Sequence, residues 1–316
     1  MMKTLIVDGN NLAHRSQFAQ FRVYRDEDVS IPYGCIANLM YWVGKFEPDN
    51  VLMVWDGGIS KRRRALIPSY KQSTKRGSKA DMEFFKEQTE KTRQMLRVFG
   101  VANLIVKGVE ADDLIWLASR QLRGDCLIVS TDNDLLQCLT PDGRVSVFSP
   151  LKKKTITWKT FSRHFSVHPA QFLDYKILMG DSSDNLSGIK GIGEKLAIDI
   201  LYRYGNINLA LRAAYHADTW DISTRARTAL QRADPEHIRR TRTVMQLSGD
   251  IPEDTVQKSV SWGPVDHKKA KQELIQRGFF KLIDSRLGKD FGRLTEPLPW
   301  SIQPYRSVTL TQIRRS

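Results

Sequence analysis

Three apolar runs in this chain end on aspartate: TLIVDGNN at Asp8, VLMVWDGG at Asp56, and LIVSTDND at Asp132 and Asp134. One Asp after a strand carries little information, because Asp favours turns. Short apolar runs closed by Gly, Asn or Asp read as buried parallel strands, whose carboxyl ends share one edge where ligands bind. Two more acidic groups have the spacing of a single helix face. Glu110 and Asp113 lie three apart in VEADD, with Asp112 beside them, and Asp181 and Asp184 repeat that spacing in LMGDSSDN. Either group alone also fits a helix first turn, where the dipole favours negative charge. Together with Asp8, Asp56, Asp132 and Asp134 they make nine carboxylates. Clustered carboxylates repel one another unless something positive lies between them, and hard divalent cations with oxygen ligands are the usual solution. Two Mg²⁺ (or Mn²⁺) ions about 4 Å apart suit in-line displacement at phosphorus. His14, His164, His168, His216, His237 and His267 are scattered, which argues against zinc and against a triad base. They read as surface or packing residues.

Two further segments carry chemistry. Ser60 to Lys79, SKRRRALIPSYKQSTKRGSK, holds eight basic residues and no acid, directly after Asp56. At the rim of an acidic crevice, such a flap can hold phosphates and neutralise charge developing in a transition state. By itself it also fits a charged loop. Tyr70, next to Lys71, offers a ring on which a base could stack. GIKGIGEKLA, Gly188 to Ala197, describes two glycine-bounded turns opening a helix. That geometry lets backbone N–H groups approach phosphates without reading bases.

The elements that must position these residues alternate between strand and helix from Lys3 to about Met179, an α/β order with a mostly parallel sheet. Helices are expected near Asn11–Phe21, Tyr33–Phe46 and Ala80–Phe99, and EADDLIWLASRQL reads as another. NLIVKG and LIVST read as strands, and RVSVFSP and KTITWK as short edge strands. Beyond Asp181 the pattern becomes helical without convincing strands. Residues 185–316 carry more than half of the net charge of +14. Arg225, Arg227, Arg232, Arg239, Arg240 and Arg242 fall in one span that also fits a solvated helix face. From about residue 291 a poorly packed tail is expected, with Trp300 and Tyr305 as its possible anchors. A basic surface around a local acidic hole fits a polyanion held over metal, most commonly nucleic acid. Cys35, Cys126 and Cys138 lack metal or disulfide spacing and suit a reducing cytosol. No apolar stretch approaches the roughly 20 residues of a membrane span, so a cytoplasmic location is expected.

The ordered set VDGNNL, DG, basic segment with YK, GVEADD, STDND and MGDSSDNLSGIKGIGEK resembles the 5′-nuclease (flap endonuclease) superfamily. It is most similar to bacteriophage 5′–3′ exonucleases and the N-terminal nuclease domain of bacterial DNA polymerase I, over about Lys3–Tyr204 and more loosely to Leu287. The resemblance implies a PIN-like α/β core over residues 1–180 with a helical arch at about 60–90. A helical domain over 181–290 would contain a helix–hairpin–helix-like element. It implies a Mg-dependent phosphodiesterase acting near the 5′ ends of flap, nicked or RNA-primed DNA during replication primer removal or repair. The nine acids would hold the metals, with Asp8 and Asp134 central to catalysis. Lys71 would lie over the scissile phosphate, with Arg64 as a second cation. Arg15, Tyr70, Lys75, Arg76, Gly188, Lys190, Gly191, Gly193 and Lys195 would contact DNA, and K⁺ would bind at the hairpin carbonyls. A monomer is expected, in a bacterial cell and with a phage origin open, with a single-strand binding protein or polymerase as partner. Relatives often have proline where Lys190 stands.

Three rivals are weighed against this reading. A haloacid-dehalogenase-type phosphatase needs a second Asp two residues after its nucleophile, and Asp8 is followed by Gly9 and Asn10. A non-catalytic branched-DNA binding protein of the same fold would tolerate a lost acid or a missing Lys71. A PIN-type ribonuclease would need neither the hairpin nor the basic helical region.

Overall fold

The apolar runs pair side by side, as their composition dictates. A computed structural model of the chain describes residues 2–19, 21–72, 78–216, 220–247, 251–252, 254–283, 294 and 298–300. Strand β1 (Lys3–Asp8) leads into α1 (Gly9–Ala19), a small hairpin of β2 (Val23–Tyr24) and β3 (Glu27–Asp28), and α2 (Ser30–Phe46). Then come β4 (Asn50–Trp55), α3 (Lys61–Leu66), α4 (Lys79–Arg97), β5 (Ala102–Ile105) and α5 (Ala111–Gln121). Next are β6 (Asp125–Val129), a 3₁₀ turn at Asn133–Cys138, β7 (Val145–Ser149) and β8 (Lys154–Ile156). The main sheet runs β5-β4-β1-β6-β7 in parallel, with β8 antiparallel beside β7. The chain builds outward from β1 to β4 and β5, then crosses to the other flank for β6. That reversal puts a crevice at the carboxyl end of β1, where Asp8 lies.

The remaining elements are α6 (Ser162–Phe165), α7 (Phe172–Met179), the pair β9 (Gly180–Asp181) and β10 (Leu186–Ser187), α8 (Glu194–Tyr204) and α9 (Ile207–Ala214). They are followed by α10 (Thr224–Gln231), α11 (Pro235–Met245), α12 (Asp254–Ser259), β11 (Val260–Ser261), α13 (His267–Gln276) and α14 (Phe280–Ile283). Two-residue strands have no readable periodicity, which is why β9, β10 and β11 were not expected. β11 pairs antiparallel with β5 at residues Val260 and Ser261 and closes that edge of the sheet. β7, expected at an edge, has β6 on one side and β8 on the other.

Side chains alternate across the sheet, as period 2 requires. Leu5 and Val7 face a cluster with α2, α4 and α13, including Leu39, Leu96 and Leu274. Ile6 faces the cluster built on α5, α7 and α11, including Leu114, Ile177 and Val244. α4 begins in a capping box, the Ser78 hydroxyl accepting from the Asp81 N–H at 3.1 Å and Asp81 accepting from the Ser78 N–H at 2.7 Å. The expected loose tail is only partly so. Leu294 and Leu298 are buried, and Trp300 pairs with Leu122, because apolar side chains that find an open seat on the core give up water contact. Residues 301–316, with Tyr305, lie outside the described residues. No described helix is long and apolar enough to cross a membrane.

Candidate active site

Each strand-end acid is held by the backbone or hydroxyl next to it. Asp8 is buried at 6 % exposure, its Oδ1 accepting from the Asn11 N–H at 3.0 Å and its Oδ2 from the Ser130 hydroxyl at 2.8 Å. Burial first, then the charges of Asp56 and Asp132, raise its carboxyl from 3.8 to about 7. Asp56 accepts the Ala111 N–H at 2.8 Å, capping the start of α5 across the crevice. The residue is exposed at the sheet edge, yet desolvation by the surrounding protein still raises its pKa, with the charge of Glu110 adding to the effect. Asp112, in the first turn of α5, is also raised well above its ordinary value, by burial and by the charges of Asp132, Asp8 and Asp56. Asp132 caps the 3₁₀ turn by accepting the Asp134 N–H at 2.8 Å. Asn11 and Thr131 exchange bonds of 2.7 and 3.2 Å, locking α1 against the loop that carries Asp132. Asp8, Asp56, Asp112 and Asp132 thus form one mutually repelling group, and none pairs with a described Lys or Arg.

The other five acids are differently placed. Glu110 is 2 % exposed and accepts from the Lys71 ammonium at 2.6 Å, the Tyr70 hydroxyl at 2.8 Å and the Ser60 N–H at 2.9 Å. Burial alone would raise its carboxyl, but Lys71 and Arg63 outweigh that and hold it below its ordinary value. Asp113 takes a 2.8 Å bond from the Arg63 guanidinium, which also lies 3.3 Å from Glu110. Lys176 on α7 bonds both Asp134 and, at 2.9 Å, Asp181. Asp181 also accepts the Ser183 N–H and hydroxyl. Burial works against this group, but Ser183 and Lys176 prevail and bring Asp181 down to about 2. Asp184 rises to about 6 through burial and the charges of Asp181 and Asp134. Its carbonyl accepts the Lys71 N–H at 3.0 Å, which ties the base of the basic flap to the acidic loop. Asp112, Asp134, Asp181 and Asp184 line one small cavity with Arg63 and Lys176, and no three of the nine acids converge at metal-ligand spacing among the described residues. Ion pairs hold Glu110, Asp113, Asp134 and Asp181 toward protein cations.

Several sequence expectations change. Arg63, not Arg64, turns into the acids. The Ser60 cap sets the phase of α3 so that Arg63 is buried, while Arg64 stands half-exposed without a described ion pair. In a run of three arginines only that phase tells them apart. Tyr70 is 3 % exposed with its hydroxyl on Glu110, so it packs in the core and offers no stacking face. Lys176 was missed, although a lone lysine in the apolar helix FLDYKILM, five residues before Asp181, was a readable signal. Arg15 lies half-buried in a cleft between α1 and α2. Lys75 and Arg76 lie outside the described residues, as does the middle of the expected arch. Its ends are α3 and α4, and Phe85 of α4 stacks on His14 at 4.0 Å between ring centres.

The hairpin is built as its glycines require. Gly188 packs so closely on Met179 and Gly180 that an added Cβ would lie about 2.4 Å from their backbone. Gly191 has φ +95°, a conformation that side chains other than glycine rarely adopt. Lys190 and Lys195 are exposed, and Gly193 precedes α8 without a side-chain cap.

A family model for the 5′–3′ exonuclease N-terminal resolvase-like domain matches residues 3–166, and one for the 5′–3′ exonuclease C-terminal SAM fold matches residues 167–268. The chain belongs to the 5′–3′ exonuclease family. Within this family it is 28 % identical to a 5′–3′ exonuclease of Aquifex aeolicus, covering 90 % of this chain and 96 % of the relative. It is 34 % identical to the 5′–3′ exonuclease of Bacillus subtilis over 66 % of this chain and 73 % of the relative. The thermostable DNA polymerase I of Thermus thermophilus is 26 % identical, and the chain spans 35 % of its length. Among solved structures, a phage T5 5′-exonuclease with bound zinc has a TM-score of 0.66 at 21 % identity, covering 87 % of this chain and 99 % of that one. The catalytic core of Rad2 in complex with a DNA substrate has a TM-score of 0.60 at 14 % identity, covering 93 % and 91 %. As a 5′–3′ exonuclease family member the chain is a nuclease, and both structures share its fold.

Proposed function

We propose that this nuclease hydrolyses phosphodiester bonds near the 5′ ends of flap, nicked or RNA-primed DNA, and that it depends on two divalent cations, Mg²⁺ or Mn²⁺. The observation that carries this reading is the group Asp8, Asp56, Asp112 and Asp132: four crowded carboxylates, with raised pKa at Asp8, Asp56 and Asp112, and no ion pair to a described cation. Oxygen donors with unmatched negative charge fit a hard divalent ion. Asp134, Asp181 and Asp184 form the second candidate set, with Lys176 between the first two. Glu110 and Asp113 are better read as anchors for Lys71 and Arg63. When bound, the metals supply Lewis-acid polarisation and charge at the phosphorus.

The chain's own residues do the rest. Lys71 is held at the crevice by Glu110, where its charge can offset the negative charge that grows on the phosphate. Arg63 fixes Glu110 and Asp113 in place. The hairpin at Gly188–Lys195 presents backbone N–H groups, Lys190 and Lys195 to a duplex without reading its bases, and its carbonyls are candidate K⁺ ligands. Water attacks the phosphorus in line and releases the 3′ oxygen, giving a 5′-phosphate and a 3′-hydroxyl.

The test is cleavage of a 5′-labelled flap substrate in Mg²⁺, in EDTA, and with Asp8→Asn. Cutting near the junction that needs metal and is lost in the variant is expected. Tight binding without cutting in Mg²⁺ or Mn²⁺ would make the chain a branched-DNA binding protein, and selective cutting of single-stranded RNA would make it a PIN-type ribonuclease.

A further inference from the structure

Three described cations hold acids of the crevice, and one is placed unlike the others. Arg63 braces Glu110 and Asp113 and also donates to the Gln246 carbonyl at 3.2 Å. Lys71 is held by Glu110 at 2.6 Å. Both stand on acids that serve as anchors. Among the described residues Lys176 pairs only with Asp134 and, at 2.9 Å, with Asp181, two of the three acids of the second candidate metal set. No other described cation pairs with either acid.

Its ammonium bridges Asp134 Oδ1 and Asp181 Oδ2, oxygens that a divalent ion would share. The side chain of Lys176 is 12 % exposed. With Asp112, Asp134, Asp181 and Asp184 it lines a cavity of about 10 Å³, room for about one water or ion. Lys176 and Asp181 also line an open cleft of about 510 Å³, together with Asn11, Thr131 and Asp132. The two side chains therefore stand between the inner space and the outer cleft. The backbone of Lys176 is fixed, its carbonyl accepting the Gly180 N–H at the end of α7. Its four-carbon stem is flexible, so the ammonium can pass from cavity to cleft without moving the helix.

We propose that Lys176 holds the place of the second divalent ion in the metal-free protein and must swing into the open cleft before that ion can bind, so that the two ions load unequally. The inference rests on the two-metal reading and deepens it. The first candidate set, Asp8, Asp56, Asp112 and Asp132, has no such cation to displace. A single and a double positive charge about 4 Å apart repel enough, even at the screening of bulk water, to weaken binding roughly tenfold or more.

The experiment titrates the full chain with Mn²⁺ by isothermal calorimetry, without DNA and at neutral pH, beside Lys176→Met, Lys176→Gln and Lys176→Arg. Met matches the stem without its charge, and Gln keeps a hydrogen-bond donor toward the acids, so a neutral variant remains if one of them does not fold. Thermal unfolding in Mn²⁺ verifies each fold. The expected result is two ions of unequal affinity in the unmodified chain. The weaker ion tightens roughly tenfold or more in the neutral variants and changes less than about threefold in Lys176→Arg, while the stronger ion moves far less. A weaker ion bound no more tightly by the neutral variants would overturn the role of Lys176, and two ions on the unmodified chain would leave the two-metal reading standing. If no chain binds a second ion, that reading falls and the role of Lys176 falls with it.

Discussion

Removing the charge of Asp8 should stabilise the metal-free protein while abolishing cleavage. Its carboxyl ionises near 3.8 in the unfolded chain and near 7 in the folded one. Charging it therefore costs the folded state nothing below about pH 4, progressively more between 4 and 7, and a constant amount above 7. At 1.36 kcal/mol per pH unit that amount is about 4 kcal/mol. Burial supplies the largest part of that amount, and Asp56 and Asp112, also raised, relax when one neighbouring charge is removed, so about half, roughly 2 kcal/mol, is assigned to Asp8→Asn. The amide keeps the local bonds, its oxygen accepting the Asn11 N–H and its NH₂ donating to the Ser130 hydroxyl. For a chain of this size 1 kcal/mol moves Tm by about 2 °C, so calorimetry in EDTA at pH 8 should show the variant melting about 4 °C higher. The difference should shrink to about a third at pH 5, and Mg²⁺ should raise the Tm of the unmodified chain more than that of the variant. A variant no more stable than the unmodified chain at pH 8, or a difference independent of pH, would refute the account of the acids as an uncompensated charge cluster.

Other expectations follow from the same geometry. Arg63→Ala leaves Glu110 and Asp113 buried without their cation and should cost about 3 kcal/mol in urea unfolding at pH 8, with a smaller loss at pH 4, where the carboxylates can take up protons. A loss under 1 kcal/mol would mean that the pair is solvated. Lys71→Ala should lower single-turnover cleavage about 10²-fold or more while changing DNA affinity in Ca²⁺ only a few-fold; equal losses would reassign Lys71 to ground-state binding. Tyr70→Phe removes one bond to Glu110 and should cost about 1 kcal/mol of stability, leaving flap affinity intact. A large affinity loss at unchanged stability would restore Tyr70 as a stacking platform. DNA affinity in Ca²⁺ should fall steeply with salt, and a flat response would exclude the basic surface as the DNA site.

The nine acids and the α/β order could be read from the chain because their causes are local. An apolar run closed by Asp-Gly fixes a strand and its end, and the glycines of GIKGIGEK fix a turn. The sequence also determined that a basic segment follows Asp56 and so rises beside the crevice. Only the tertiary structure decided how the acids divide their partners. Whether Arg63 or Arg64 faces inward depends on the phase of α3, set by one capping bond from Ser60. Whether Tyr70 is a platform or a core residue depends on Glu110, 40 positions away. Lys176 meets Asp134 only because α7 packs beside the 3₁₀ turn, a contact across 42 residues that no local pattern encodes. Electrostatic partnership depends on distance through space, and strand order, helix phase and packing set that distance after the local rules have acted.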